Sequence, residues 1–322
     1  MYPFKFEPIL KQTLWGGERI IPFKKLSSDL RGVGESWELS CVEGDESVVA
    51  NGLYKGFTLS QLVRELKEEL VGEENYHRYG DVFPLLIKFI DASKDLSIQV
   101  HPNDDLAKHR HNSLGKTEMW YVIGADKGAK LRSGFSQQIT PKEYKERIHN
   151  STITDVLQEY DIHPGDVFYI PAGRVHSIGA GAFIAEIQET SNITYRIYDF
   201  NRKDANGDLR ELHTELAKDA IDYEVLDDYR TDYESIKDEP VELVACPYFT
   251  TSLYDLTESI TCDYSELDSF IVLICMEGDC EIITNEGDKT TMRKGETLLF
   301  AASTEDITIN PDGTAKLLEA YV

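Results

Sequence analysis

Apolar and polar residues alternate over Ser36-Trp37-Glu38-Leu39-Ser40, the pattern of a half-buried strand. Residues 83–90 form a nearly continuous apolar run broken by one charge, Lys88, and predict a central strand that carries one polar side chain. Shorter strand patterns fall at 117–123, 167–171, 183–188 and 194–199. Helical spacing is rarer. Leu59, Leu62, Val63, Leu66 and Leu70 recur close to a 3.6-residue period and predict a helix over 58–70. Thr140-Pro141-Lys142-Glu143 is a capping box with proline at the first helical position, opening a helix to about Ile148. Residues 154–160 and 209–220 also read as helical. Residues 222–239 are acidic and poor in apolar side chains, which predicts a solvated connector, and Pro240 opens a second β-rich unit running to Val322. The division expected is therefore 1–235 and 236–322.

A faint repeat relates the two parts. The stretch from His163 to Gly173 can be laid over that from Arg293 to Ser303: a glycine–acid turn, an apolar strand, then small residues. Glycine suits such a turn because it adopts backbone conformations that other residues resist. In this register His176 falls opposite Asp306, and the last histidine of the chain is His213. The repeat implies two related β-units, only the first of which has imidazoles for a metal.

Length and composition narrow the classes. The chain has 322 residues, 41% hydrophobic and 28% charged, with a formal net charge of −25. Such a charge argues against nucleic acid or an anionic membrane as partner, and it requires a locally basic pocket for any anionic ligand. Five cysteines without tight spacing read as free thiols, in keeping with a reducing compartment. The N-terminus lacks the apolar stretch and cleavage site of a signal peptide, and no run of about 18 apolar residues predicts a membrane span. A cytoplasmic location is expected.

The chemistry concentrates around Gln99-Val100-His101. Two apart on a strand, Gln99 and His101 point to one face. Glu118 lies in a second predicted strand, and His176 follows a third. Two imidazoles, a carboxylate and an amide oxygen suit Zn2+ and tolerate Mn2+, Fe2+ or Co2+. Lys116 shares the face of Glu118 if the strand extends back to it. Arg196, alternating with bulky residues, is a candidate to stabilise an oxyanion. Lys88 needs a partner or a ligand if it is buried. Glu35 and Glu186 are candidate general bases. No glycine-rich phosphate loop, nucleophile elbow or CxxC motif is present.

Four blocks carry a resemblance: Leu96-Ser97-Ile98-Gln99-Val100-His101-Pro102-Asn103-Asp104, Gly115-Lys116-Thr117-Glu118-Met119-Trp120-Tyr121, Pro171-Ala172-Gly173-Arg174-Val175-His176-Ser177-Ile178-Gly179 and Asn192-Ile193-Thr194-Tyr195-Arg196-Ile197-Tyr198-Asp199. With Leu14-Trp15-Gly16-Gly17 and Gly34-Glu35-Ser36-Trp37, they make the chain resemble type I mannose-6-phosphate isomerases of the short bacterial form. The resemblance implies a mainly β fold of two cupin-type jelly-roll barrels with a small helical insertion. It implies reversible conversion of D-mannose 6-phosphate to D-fructose 6-phosphate through an enediolate, and one zinc bound by Gln99, His101, Glu118 and His176. Arg196 matches the family's catalytic arginine, while Lys88, Lys116, Glu35 and Glu186 match pocket positions. Candidates for binding the substrate are Lys88, Ser97, Trp15 and Arg174, with Arg132 as another cation for the phosphate. One departure is that Leu114-Gly115-Lys116-Thr117-Glu118 replaces the Asn-His-Lys-Pro-Glu signature of the long form, keeping its Lys-x-Glu core. The partner expected is a small phosphosugar, with no nucleic acid or membrane, and the chain is expected to be a monomer or homodimer. The alternatives are a non-catalytic, regulatory sugar-phosphate-binding cupin, an oxidative cupin, or an isomerase of a related sugar.

Overall fold

The apolar run around Lys88 has a simple structural cause: its strand is covered on both faces. In the computed structural model, which describes residues 1–203 and 207–322, this strand is Leu85–Asp91, and all of it is buried. It lies inside a seven-stranded sheet in the order Arg230–Thr231, Val167–Ile170, Glu118–Ala125, Ala182–Glu189, Leu85–Asp91, Val33–Leu39, Ile9–Gly17. Leu85, Ile87 and Phe89 face one apolar layer, while Ile90 and its neighbours face another.

The inner layer lies between this sheet and a five-stranded one ordered Tyr195–Tyr198, Ile98–Val100, His176–Ile178, Lys130–Phe135, Leu157–Asp161. Trp120, Val122, Phe168 and Ile184 of the large sheet meet Leu131 and Ile178 of the small one. The chain after Pro240 repeats the plan, with five strands (Pro240–Cys246, Phe249–Leu256, Ala315–Tyr321, Ile271–Glu277, Thr297–Phe300) facing four (Ile260–Asp263, Asp306–Pro311, Asp279–Thr284, Lys289–Arg293). The outer faces of the two large sheets share the other layer, where Leu85, Ile87 and Met119 join Leu253, Val272, Ile274 and Leu318. The fold is mainly β, two jelly-roll units with helical insertions. The turn glycines of the repeat both adopt positive φ, +94° at Gly165 and +81° at Gly295.

Several local expectations are corrected. The helix expected over 58–70 is Leu59–Leu66 followed by a separate turn, Glu68–Val71, because Lys67 takes φ +51° between them. Residues 154–160 are helical only at their start, where a 3-10 helix, Ile153–Val156, leads into strand Leu157–Asp161. That strand pairs with Lys130–Phe135, and Glu159 meets Lys130 and Arg132 across the ladder, so tertiary pairing overrides local propensity. In 209–220 only Thr214–Ala220 is helical. The preceding backbone lies alongside Arg196, with His213 N donating to Arg196 O and Arg196 N to His213 Nδ1. The acidic connector is partly built in: Arg230–Thr231 pairs with Val167–Ile170, and Tyr229, 5% exposed, donates its hydroxyl to Phe135 O. Its ring occupies the space above Gly134, where a Cβ would come within 2.1 Å of it. A helix not anticipated, Asp104–His111, is capped by Asn103, which accepts from Leu106 N, and carries Asp104 and Asp105 in its first turn. The helix expected after the capping box forms as Pro141–His149, with both reciprocal bonds made. The five cysteines are free thiols. Among the described residues no helix is long and apolar enough to cross a membrane.

Candidate functional site

Strand pairing brings the candidates together. His176 stands directly opposite Gln99 on one side, and Arg196 stands opposite Gln99 on the other. Three adjacent strands thus present an imidazole, an amide and a guanidinium in one cross-strand row. Glu118 comes from the facing sheet, at the first position of its strand. Its partner in the ladder is Gln188, and the next row on the same face pairs Glu186 with both Trp120 and Lys88.

His101, Glu118 and His176 are buried and offer ligand atoms all within 4.8 Å of one another. His176 Nε2 lies 3.3 Å from Glu118 Oε1, and His101 Nε2 lies 3.5 Å from Glu118 Oε2. Ligands about 2.1 Å from a tetrahedral ion are separated by about 3.4 Å, so these spacings suit a shared cation. Each ring donates its Nδ1–H to a backbone carbonyl, His101 to Ile193 O at 2.9 Å and His176 to Arg174 O at 2.8 Å. That fixes the tautomer and leaves the Nε2 lone pairs facing the carboxylate. His101 Nε2 and both Glu118 oxygens have no hydrogen-bond partner among the described residues. Burial holds His101 well below the usual imidazole range and His176 at about 4, so both are neutral. Burial, and then the Glu186 carboxylate, pushes Glu118 upward. A carboxylate without a cation is costly here, and a bound cation reverses that cost. Gln99 lies beside this group. Its amide nitrogen is 3.2 Å from His176 Nε2, and half a turn of the amide exchanges that nitrogen for its oxygen. The donor set therefore fits a divalent metal.

A cavity of about 370 Å³ opens beside this cluster, and Gln99, Lys116, Lys88, Glu186, Glu35 and Arg196 line it. Lys88 Nζ donates to Glu186 Oε2 at 3.0 Å and to Gln188 Oε1 at 2.8 Å, and it approaches Glu35 Oε2 at 4.0 Å. Burial opposes the ammonium, but Glu186 and Glu35 outweigh it and hold Lys88 above the usual lysine range. Trp120 Nε1 donates to the second oxygen of Glu186 at 3.0 Å, and Trp37 Nε1 donates to Glu35 at 2.5 Å. Lys116 Nζ is 3.8 Å from Glu118 Oε2, and burial, then the charge of Lys88, lowers its pKa.

Trp15 and Ser97 also line the cavity. Arg174 does not. Its guanidinium donates to Tyr169 O at 2.7 Å and lies 4.8 Å from the Tyr229 ring centroid. The strand begins only at His176, after Gly173 at φ +92°, so the two-residue alternation that would align Arg174 with His176 does not apply. Arg132 is likewise engaged elsewhere, bound to Glu159 at 2.6 Å. Sequence reasoning missed Asn192, Thr194 and Arg210, all of which line the cavity. The available signal was Asp199, an acid followed by two arginines, Arg202 and Arg210, which it binds.

A jelly roll with a buried His/Glu/His cluster able to hold a metal ion, opening on a polar, lysine- and glutamate-lined cavity, is the arrangement of a cupin-class enzyme. Residues 4–160 match the family model for the phosphomannose isomerase type I catalytic domain, and residues 240–322 match that for the mannose-6-phosphate isomerase cupin domain. Mannose-6-phosphate isomerase ManA of Bacillus subtilis (strain 168) is 38% identical over 287 residues, 88% of each chain. The mannose-6-phosphate isomerase of Streptococcus mutans is 34% identical over 301 residues, 92% of each. The crystal structure of the mannose 6-phosphate isomerase from Bacillus subtilis superposes over 100% of both chains with a TM-score of 0.89 and 31% identity. The chain belongs to the type I phosphomannose isomerase family, and it is an enzyme of the mannose-6-phosphate isomerase type.

Proposed function

We propose that this protein interconverts D-mannose 6-phosphate and D-fructose 6-phosphate through an enediolate, with zinc held by Gln99, His101, Glu118 and His176. The observation that carries this reading is the set of buried atoms without a hydrogen-bond partner among the described residues, His101 Nε2 and both Glu118 oxygens, beside a cavity lined by Lys88, Glu186 and Lys116. When bound, zinc supplies Lewis-acid polarisation of the substrate's oxygens.

The chain's own residues do the rest. A proton must leave C2 and return at C1, and negative charge must be held on oxygen meanwhile. Arg196 lines the cavity, its Nη1 donates to Glu211 O at 3.0 Å, and its buried Nε has no partner among the described residues. It is a preorganised donor for that charge. Both oxygens of Glu186 are occupied, one by Lys88 and one by Trp120, so its role is to keep Lys88 charged and in place. Lys116 and Glu35 are less fully bonded and remain the candidates for carrying the proton. Solvent-tritium exchange at C2 separates them, because the base variant loses exchange while still binding substrate.

The test is a coupled assay of mannose 6-phosphate turnover with elemental analysis of the protein. Chelation should lower turnover by at least about 100-fold, and zinc should restore it without oxygen. Turnover that persists in protein shown to be metal-free would overturn the metal reading, and absence of turnover in the zinc-loaded protein would overturn the activity.

A further inference from the structure

The cations around the cavity are not equivalent. At the metal end they are committed: Lys88 to Glu186 and Gln188, and Lys116 beside Glu118. Arg210 lines both the cavity and the shallower depression outside it, as do Trp15 and Glu35. It is therefore at the mouth. Asp199, 4% exposed, holds it through two bonds, Nε to Oδ2 at 2.7 Å and Nη2 to Oδ1 at 2.6 Å. The same carboxylate accepts from Arg202 Nη2 at 2.5 Å. One buried carboxylate thus serves two guanidiniums, with Arg196 lining the same cavity. Two guanidiniums, Arg196 and Arg210, therefore line one cavity in a chain of net charge −25.

We infer that Arg210, oriented by Asp199, binds the phosphate of the substrate and sets the preference for a phosphorylated over a free sugar. This inference rests on the isomerase reading above and deepens it. The side edge of the Arg210 guanidinium, Nε and Nη2, is taken by Asp199, and Nη1 makes no hydrogen bond among the described residues. The end-on edge, Nη1 with the second hydrogen of Nη2, remains for two oxygens of a dianion. A rigid fork already held by a buried acid loses little rotamer freedom on binding. Asp199 acts through Arg210 and is a positioning residue.

The test uses the zinc-loaded full chain, with inorganic phosphate as a competitive probe. Arg210→Gln should raise KM for mannose 6-phosphate and the inhibition constant of inorganic phosphate in parallel, each by about 30-fold or more, with kcat changed by less than about 3-fold. The ratio of kcat/KM for mannose 6-phosphate to that for mannose should collapse by a similar factor. Asp199→Asn should move the same two constants in the same direction by a smaller factor. Arg210→Lys, which keeps a charge, should fall between wild type and Arg210→Gln, and it decides the matter should Arg210→Gln fail to fold. A fall in kcat with KM and phosphate inhibition unmoved would overturn the inference while leaving the isomerase reading intact. Absence of mannose 6-phosphate turnover in the wild type would remove the isomerase reading instead.

Discussion

The two jelly-roll units share a strand plan, and their ladders can be matched residue by residue. In the first, Ile170 pairs with Glu118, while in the second, Phe300 pairs with Ile271. His176 pairs with Gln99, and Asp306 pairs with Asp263. Glu186 pairs with Trp120, and Glu319 pairs with Leu273. Ile170 and Phe300 are equivalent in the repeat, as are His176 and Asp306. The Glu118 carboxylate of one interior is thus a fully buried isoleucine in the other, packed with Tyr254, Tyr264, Leu273 and Phe300. At this position one unit keeps a carboxylate with no hydrogen-bond partner among the described residues, and its twin fills the equivalent space with an apolar side chain. Among these matched ladder positions the acid at Glu186 and Glu319 is kept in both units, and its company differs: Glu186 meets an ammonium and an indole, Glu319 meets the hydroxyls of Tyr254 and Tyr264. A common backbone therefore says little about chemistry, which depends on which interior positions are left unsatisfied.

The largest effect expected is from copying the second unit into the first. Glu118→Ile should abolish stoichiometric metal binding, read by elemental analysis, and lower kcat/KM by about 1,000-fold or more, on the order of 4 kcal/mol of transition-state stabilisation. Retained metal with near-normal turnover would break the comparison. Next is Lys88→Met, which strands the Glu186 carboxylate in the interior. It should cost about 3 kcal/mol in denaturant unfolding of the chelated protein, and Lys88→Met combined with Glu186→Leu should recover much of that loss. A double variant no more stable than the single one would show that the pair is not the source of the cost. The smallest effect concerns the surviving acid of the second unit. Burial, against two tyrosine hydroxyl bonds, raises the pKa of Glu319 above its ordinary 4.5. The folded chain then holds its proton to higher pH than the unfolded chain, so this group's contribution is most favourable below 4.5 and erodes as pH rises. Glu319→Gln should match wild type in acid and become the more stable protein towards neutral pH, by on the order of 1 kcal/mol. Melting curves that stay parallel across that range would contradict this.

Much of this was readable from the chain because it depends on alternation. Gln99 and His101 are two apart, Glu118 opens a strand, and the run around Lys88 is apolar because its sheet is covered twice. The glycine–acid turns also located the duplicated plan, and the structure carries that register through to the ladder. What escaped detection lies where alternation stops. Arg174 stands between a positive-φ glycine and the first residue of a strand, so its direction is set by the turn. Arg210 lies in irregular chain, brought to the cavity by a carboxylate eleven residues earlier. The strand Leu157–Asp161 looked helical because its register is imposed by the neighbouring strand, a non-local cause that no window of sequence contains.

The apolar layer between the large sheets has a mechanical consequence. Phe4 bonds to Leu299 in both directions and Lys5 reaches Glu296, so the first residues of the chain are stitched to its last quarter. Peeling off the C-terminal unit would strip oil from the back of the strands that carry Lys88 and Glu186. The C-terminal unit is therefore a keel for the first one, and the pair should melt in a single transition rather than two.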